Sequence, residues 1–217
     1  MTKKPTTHIA VLLDESGSMS GNESDVIGGT NSFVKEQKSD TEMTIFKFGT
    51  HLGPQPAVVQ GPAKAGKLKK MTGRDYQPCG GTNLLDAVGY MIQGLAKRAD
   101  DDDVIVCFIF TDGLENASVE FDGRKIDHLI KKRKKDGWLF LFAGADLKDF
   151  DDADQMGIAQ SSRRQMSKAA LAPELAEMSL DIDVYEQRAR ALRSSKVDFD
   201  ADEVFNEVTA PDRNSSR

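Results

Sequence analysis

The sequence predicts an α/β fold with a mostly parallel, doubly wound sheet and helices on both of its faces. Two uninterrupted apolar runs, Ile9–Leu13 and Val104–Phe110, are typical of strands that are buried on both faces. Between them, Asn83–Lys97 carries apolar residues at intervals of three and four, which indicates an amphipathic helix. Buried strands that alternate with helices of this length require parallel crossover connections.

The remaining elements are predicted from shorter patterns along the chain. Further strands are expected at Met43–Phe48, at Ala57–Val59 as an antiparallel edge strand, at Trp138–Ala143, and at Met156–Ile158 as a short edge strand. Further helices are expected over residues 24–37, Ala63–Met71, Ile126–Lys135, and in a last segment that Pro173 opens.

The composition is that of a soluble globular protein. The chain has 217 residues, of which 39% are hydrophobic and 29% are charged, and its formal net charge is −6. This negative charge argues against nucleic acid as a partner, and no apolar run reaches the length of a membrane span. Because Cys79 and Cys107 are the only cysteines and no signal-peptide pattern precedes the first strand, we expect a cytoplasmic location.

The C-terminal segment differs from the rest of the chain. We expect one domain over residues 1–193, followed by an acidic tail over residues 194–217. The tail holds six acidic and three basic residues, a balance that favours disorder. Within it, Val197–Asp200 alternates apolar and acidic residues, as an extended segment does when it docks on a sheet edge. The tail is therefore predicted to be flexible or to dock on a partner.

Polar residues follow the two buried strands at the point where each strand ends. Asp14, Ser16 and Ser18 come directly after the first strand, Asp112 follows the second, and Thr82 stands between two glycines and the amphipathic helix. In an open parallel sheet, ligands bind beyond the carboxyl ends of the strands. Carboxylate and hydroxyl oxygens are hard donors that select Mg²⁺ or Mn²⁺. The five side chains therefore predict a metal site with few charged ligands, in which the bound ion keeps an exchangeable position.

This combination resembles the metal-ion-dependent adhesion site (MIDAS) of von Willebrand factor type A (VWA) domains, over roughly residues 6–192. The family motif consists of Asp-x-Ser-x-Ser, a distant Thr and a distant Asp, and it matches Asp14, Ser16, Ser18, Thr82 and Asp112. The resemblance implies a Rossmann-like fold, direct contact of the ion with the three hydroxyls, and aspartates that often act through water. It also implies that an Asp or Glu of a protein partner completes the coordination.

The resemblance also implies a biological setting. Similar compact intracellular VWA proteins occur in bacteria and their viruses, where they often act with AAA+ ATPases or within larger assemblies. We therefore expect a metal-dependent protein-binding module that is intracellular and bacterial or phage-encoded. A structural or assembly component of a larger complex is the alternative that the same site and tail allow.

Other interpretations of the site residues stay open at this stage. Ser16–Ser18 and Asp112–Gly113 are also typical of polar turns, and Glu15 is expected to be exposed. Asp14 at a strand end also suits a Mg²⁺-dependent phosphohydrolase of the haloacid-dehalogenase type. Such enzymes place a second aspartate two positions on, where this chain has Ser16, so catalysis is the weaker interpretation.

The remaining ionisable groups predict no second site. A serine hydrolase requires a nucleophile elbow and a histidine, and His8, His51 and His128 suit surface or structural roles instead. The acidic run Asp100–Asp103 lacks the spacing of a Ca²⁺ loop and is expected to be a solvated turn. The basic run Lys131–Lys135 is expected to be a solvated helix end.

Overall fold

The computed structural model describes residues 5–144, 150–166 and 171–210, with the backbone alone for residues 171–174. The strands are β1 (Thr7–Asp14), β2 (Glu42–Phe48), β3 (Ala57–Lys64), β4 (Val104–Thr111), β5 (Trp138–Gly144) and β6 (Arg163–Gln165). They form one sheet in the order β3-β2-β1-β4-β5-β6, and every neighbouring pair is parallel except β2 with β3. The predicted mostly parallel sheet with one antiparallel edge strand is confirmed.

The helices lie on both faces of the sheet, as predicted. They are α1 (Glu23–Glu36), α2 (Leu84–Ala96), α3 (Gly123–Lys135), α4 (Phe150–Gln155), α5 (Leu171–Ser194) and α6 (Ala201–Thr209). Side chains of α1, α5 and α6 form one hydrophobic core with one face of the sheet, and side chains of α2, α3 and α4 form a second core with the other. No helix in the described part of the chain has the length and apolar character needed to span a membrane.

The sequences of the two central strands, β1 and β4, lack polar alternation because both faces of these strands are buried. Every residue of both strands is buried, and successive side chains alternate between the two cores. The strands are paired in parallel, with Leu13 opposite Phe110. The chain proceeds from β1 outward to β2 and β3 on one side, and to β4 and β5 on the other. The carboxyl ends of β1 and β4 therefore meet at the point where ligands bind in such sheets.

Two predicted elements were wrong. Ala63–Met71 is not a helix, because β3 continues to Lys64, where it pairs with β2, and the chain then makes a short 3-10 turn. The second edge strand is Arg163–Gln165 rather than Met156–Ile158. Met156 and Ile158 are buried at the end of α4, which Gly157 terminates with a positive φ of 68°.

The structure also differs from the flexible tail that was expected from residue 194. Residues 201–209 form α6, whose first turn is capped by the Asp200 side chain at 2.9 Å from the backbone nitrogen of Asp202. Phe205 is fully buried and meets the ring of Tyr185 edge to face, at 6.2 Å between centroids. The chain up to residue 210 is therefore packed on the domain, whereas residues 211–217 lie outside the described part.

The amino-terminal end of β1 holds a charged cluster that the sequence did not predict. His8 is nearly buried and lies 3.0 Å from a carboxylate oxygen of Glu42 and 3.0 Å from one of Asp103. Asp103 also accepts a hydrogen bond of 2.7 Å from the backbone N–H of Thr6. Asp103 is thus a buried structural residue and not part of a solvated turn, while the structural role expected for His8 fits these contacts.

Candidate metal centre

Asp14 ends β1 at the centre of the sheet and is fully buried. One of its carboxylate oxygens accepts a hydrogen bond of 2.7 Å from the backbone N–H of Ser16. The other accepts one of 2.6 Å from the hydroxyl of Thr111, the last residue of β4. Burial raises the pKa of Asp14 to about 6, although these hydrogen bonds act in the opposite direction. A buried carboxylate of this kind is stabilised in its charged form by a nearby cation.

The two serines of the loop after β1 connect Asp14 to Asp112. The hydroxyl oxygens of Ser16 and Ser18 lie 3.0 Å apart. The hydroxyl of Ser18 donates a hydrogen bond of 2.8 Å to a carboxylate oxygen of Asp112, which follows β4. Residues from the ends of both central strands are therefore joined through a serine side chain.

Gly113 shows where the remaining oxygens converge. A Cβ atom placed on Gly113 would lie 2.9 Å from the Thr82 hydroxyl oxygen, 3.0 Å from the Ser18 hydroxyl oxygen and 3.5 Å from a carboxylate oxygen of Asp14. One point in space, beside the residue that follows Asp112, is therefore close to oxygens from two other segments of the chain. Together with the contacts of Ser18, this places all five predicted side chains in one cluster.

The donor set of this cluster suits a small, hard cation. It comprises two carboxylates and three hydroxyls, and these oxygens are the ligand types that Mg²⁺ and Mn²⁺ prefer. The missing side chain at Gly113 leaves open the space that a Cβ atom would fill beside three of the donors. Neither this cluster nor any other place in the described residues brings together three His, Cys, Asp or Glu side chains that could hold a metal ion. The case for a metal therefore rests on the hydroxyl donors beside the two carboxylates.

Glu15 contradicts the expectation that it is exposed, because its side chain is fully buried. One carboxylate oxygen accepts hydrogen bonds from Lys47 Nζ at 3.0 Å and from the backbone N–H of Gln77. The other lies 3.1 Å from Nε2 of His51. Glu15 therefore joins the loop after β1 to the end of β2 and to the segment that leads to Thr82.

The glycine loop that carries Thr82 is held by a second loop, which follows β2. Thr50 accepts a hydrogen bond of 2.8 Å from the backbone N–H of Gly81 through its hydroxyl, and its own N–H donates to the Gly81 carbonyl at 3.0 Å. Gly80 has a positive φ of 75°, and a Cβ atom there would lie 2.5 Å from the Thr50 hydroxyl oxygen. Glycine is required at this position by both conformation and space.

The loop after Asp112 is fixed by the carboxylates of Asp86, which is buried, and Glu115, which is partly exposed. Asp86, at the start of α2, accepts hydrogen bonds of 2.8–2.9 Å from the backbone N–H groups of residues 119–121. Glu115 accepts further backbone hydrogen bonds within the same loop and from α2. Asn116 exchanges hydrogen bonds of 3.0 and 3.1 Å with the backbone of Thr82. The segments that carry Thr82 and Asp112 therefore form one ordered unit.

Sequence reasoning missed several of these supporting residues. The sequence did carry a signal for Thr111. This hydroxyl residue precedes Asp112 at the end of β4, and a side chain at that position lies beside Asp14, the last residue of the neighbouring strand β1. Tyr76, which donates a hydrogen bond from its hydroxyl to the Asp14 carbonyl, and Thr50 carried none. Both lie in loops, and their contacts join residues that are distant in sequence.

No family model and no curated protein matches the sequence. Solved structures do match the fold. The chain is similar to proximal thread matrix protein 1 from the mussel byssus, with 14% identity over 82% of this chain and 48% of that one and a TM-score of 0.61. It is similar to a von Willebrand factor type A protein from Catenulispora acidiphila, with 14% identity over 83% and 43% of the two chains and a TM-score of 0.55. The Plasmodium vivax TRAP protein matches at 14% identity over 81% and 73%, with a TM-score of 0.55.

These identities establish the fold alone, and the fold is that of VWA domains. The chain spans about half the length of the mussel and Catenulispora proteins that it matches. The mussel protein was solved with zinc in its MIDAS motif, and the Plasmodium protein was solved loaded with manganese. The predicted VWA resemblance is thus confirmed at the level of structure, and its neighbours include proteins that carry divalent metals.

Proposed function

We propose that this chain is a protein-binding module that depends on a divalent metal. Asp14, Ser16, Ser18, Thr82 and Asp112 would hold Mg²⁺ or Mn²⁺ at the carboxyl edge of the sheet. The observation that carries the proposal is the convergence of the oxygens of Asp14, Ser18 and Thr82 on the space beside Gly113, the residue that follows Asp112. The bound ion supplies a positive charge with an exchangeable position, and an Asp or Glu of a protein partner fills that position.

The surface beside the site supports a protein partner. Leu114, which follows Gly113, has 46% of its surface exposed, and Val119 in the same loop has 82% exposed. Exposed apolar side chains next to a polar centre are typical of interaction sites. The partner segment that fits this surface carries an acidic residue for the metal and an apolar residue beside it.

Isothermal titration calorimetry with Mg²⁺ and Mn²⁺ tests the metal centre. Asp14→Asn removes one of two charged donors, and Gly113→Ala removes no donor but fills the space between them. We expect both variants to lose binding, while Asp40→Asn, which changes an exposed carboxylate in the turn between α1 and β2, keeps the wild-type affinity. Absence of binding by the wild-type chain, or equal binding by Asp14→Asn, would contradict the assignment.

A displayed library of random peptides tests the acidic partner residue. Peptides are captured on the wild-type chain in Mg²⁺ and eluted with EDTA. We expect the eluted peptides to share an Asp or Glu, and we expect binding to disappear when that residue is changed to Asn or Gln. Peptides that stay bound in EDTA, or that bind Asp14→Asn equally well, would argue against a metal-mediated contact.

We also propose that the chain is not an enzyme. Ser16 occupies the position at which a phosphohydrolase of the type considered above would need its second aspartate. Release of phosphate from p-nitrophenyl phosphate in Mg²⁺, measured for wild type and Asp14→Asn, checks this point. Turnover that disappears in the variant would overturn it.

We further propose that the chain is a cytoplasmic module that acts within a larger bacterial or viral assembly, for instance with an AAA+ ATPase. It rests on the resemblance of the motif residues to those of compact intracellular VWA proteins. Co-elution of the purified chain with a candidate ATPase in Mg²⁺, and its loss in EDTA, would support this partner. Co-elution that does not respond to EDTA would remove the metal site from the interaction.

A further inference from the structure

One long segment of this chain contains lysine and arginine but no aspartate or glutamate, although the net charge of the chain is −6. Residues 43–74 contain six basic residues and no acidic one, namely Lys47, Lys64, Lys67, Lys69, Lys70 and Arg74. Lys47 lies in β2, whereas the other five lie at the end of the edge strand β3 and in the connection that follows it. Such segregation creates a local positive field that the net charge conceals.

A groove lies where this connection passes the end of α1. Its volume is about 330 Å³, and its charged lining consists of Lys35, Lys69 and Lys70. Val34, Ala65 and Leu68 give it an apolar floor. Among the described residues, no carboxylate contributes to the lining. The groove therefore combines positive charge with a small apolar surface.

The wall of the groove is held in place by two side-chain amides. Gln60 of β3 binds the backbone N–H and carbonyl of Lys69, with both hydrogen bonds at 2.7 Å. Asn31 of α1 binds the backbone N–H and carbonyl of Met71 at 2.8 and 3.1 Å. Two-point contacts of this kind fix the backbone on either side of Lys70. A ligand would then meet a wall that is already ordered, which lowers the entropic cost of binding.

The lysines of the groove have no anionic partner within the part of the chain that the structure describes. Lys38 and Lys47 each form ion pairs with carboxylates, whereas Lys35, Lys69 and Lys70 are exposed and form none with the described residues. Their positive charge is available to a ligand from outside the molecule.

We propose that this groove binds an extended acidic segment of a protein partner, independently of the metal centre. Carboxylates of the segment would contact Lys35, Lys69 and Lys70, and a small apolar side chain between them would lie on Val34 and Leu68. The groove contains neither an aromatic ring nor an arginine. These are the groups that stack on bases and grip phosphates in many nucleic-acid sites, so an acidic peptide fits the groove better than a nucleic acid does.

Fluorescence anisotropy with a short labelled peptide of alternating glutamate and leucine tests the proposal. The measurement is made in EDTA, so that failure here and failure of the metal centre are separate results. Lys69→Gln combined with Lys70→Gln should weaken binding about fivefold or more, as expected for the loss of two ordinary surface ion pairs. Lys132→Gln combined with Lys135→Gln, which removes two exposed charges from α3, should leave the affinity unchanged.

Two further measurements complete the test. Replacing leucine by serine in the peptide should weaken binding to the wild type, because the apolar floor loses its contact. Duplex DNA and vesicles of anionic lipid are compared with the peptide at the same ionic strength, since all three respond to salt. The proposal is overturned if the wild type does not bind the peptide, if both lysine pairs give the same loss, or if DNA or vesicles bind more tightly.

Discussion

Buried carboxylates lie at both ends of β1, and their partners differ. At the amino end, the carboxylate of Asp103 lies 3.0 Å from a ring nitrogen of His8 and accepts hydrogen bonds from two backbone N–H groups. At the carboxyl end, Asp14 accepts one backbone and one hydroxyl hydrogen bond. In the described part of the chain, no Lys, Arg or His forms an ion pair with it.

The pKa values of the two carboxyl groups follow this difference. Burial acts to raise the pKa of Asp103, but hydrogen bonds from Thr6, Asp100 and His8 bring it below its usual value. Burial raises the pKa of Asp14 to about 6, and the neighbouring Asp112 adds to the rise. The charge at one end of the strand is thus compensated within the protein, and the charge at the other end has no cationic partner among the described residues. We interpret the first as structural and the second as the cost of a binding site.

The largest expected effect is that two equivalent Asp→Asn substitutions change the free energy of unfolding in opposite directions. In EDTA at neutral pH, Asp14→Asn should raise the free energy of unfolding by about 1–3 kcal/mol, because it removes a buried charge without a cationic partner. The amide can still bind Ser16 and Thr111. Asp103→Asn should lower the free energy of unfolding by about 1–3 kcal/mol, because His8 loses its partner. Urea denaturation measures both, and a loss of stability in each variant would contradict the comparison.

The second prediction concerns pH. The folded pKa of Asp14, about 6, lies above the ordinary value of 3.8 that applies to the unfolded chain. Stability from this group is therefore complete below about pH 4 and is lost as the pH rises through about 6. The difference between wild type and Asp14→Asn isolates this contribution from that of Asp103, which changes in the opposite direction.

The same pKa predicts a proton release on metal binding. A metal requires the ionised carboxylate, so Mg²⁺ binding at pH 6 should release about half a proton from Asp14. Calorimetry in two buffers of different ionisation enthalpy measures this number. At pH 8 the release should approach zero. A release that does not change between these pH values would show that Asp14 is not the group that exchanges a proton for the metal.

The clustering of the predicted site residues could be predicted because the rule that brings them together is local. Asp14 and Asp112 each follow an apolar strand directly, and the ends of parallel strands meet at one edge. The prediction required no knowledge of distant contacts. The environment of Glu15 did require it, because its partners are Lys47 at the end of β2 and His51 and Gln77 in later segments. The sequence shows that Glu15 lies next to the site residues, but it does not show that the fold buries the Glu15 side chain.

Two of the wrong predictions, the second edge strand and the C-terminal tail, arose because polar residues were given too much weight. Arg163–Gln165 is a strand of three polar residues and shows no apolar pattern. The segment after residue 194 looked like a solvated tail because of its acidic residues. Ala201, Val204 and Phe205, however, recur at helical spacing and are buried against the domain. A short helix needs only one apolar side to pack, so a count of charges conceals it.

The smallest expected effect concerns a residue that would position the metal-binding oxygens without being a ligand itself. Thr50 contacts no predicted ligand, yet its hydroxyl accepts a hydrogen bond of 2.8 Å from Gly81, which precedes Thr82. Thr50→Val keeps the shape of the side chain and removes this acceptor. We expect Mg²⁺ affinity to fall about tenfold, as for other residues that orient ligands, whereas Thr50→Ser should restore it.

Calorimetry and urea denaturation together decide the role of Thr50. If the residue positions Thr82, the valine variant should lose affinity for Mg²⁺ by more than its stability in EDTA explains, since the loop can shift without unfolding the sheet. The enthalpy of Mn²⁺ binding should change with it. If affinity and stability fall together and serine restores only stability, Thr50 is a structural residue. The ordered loops around Glu15 would then serve the fold rather than the metal.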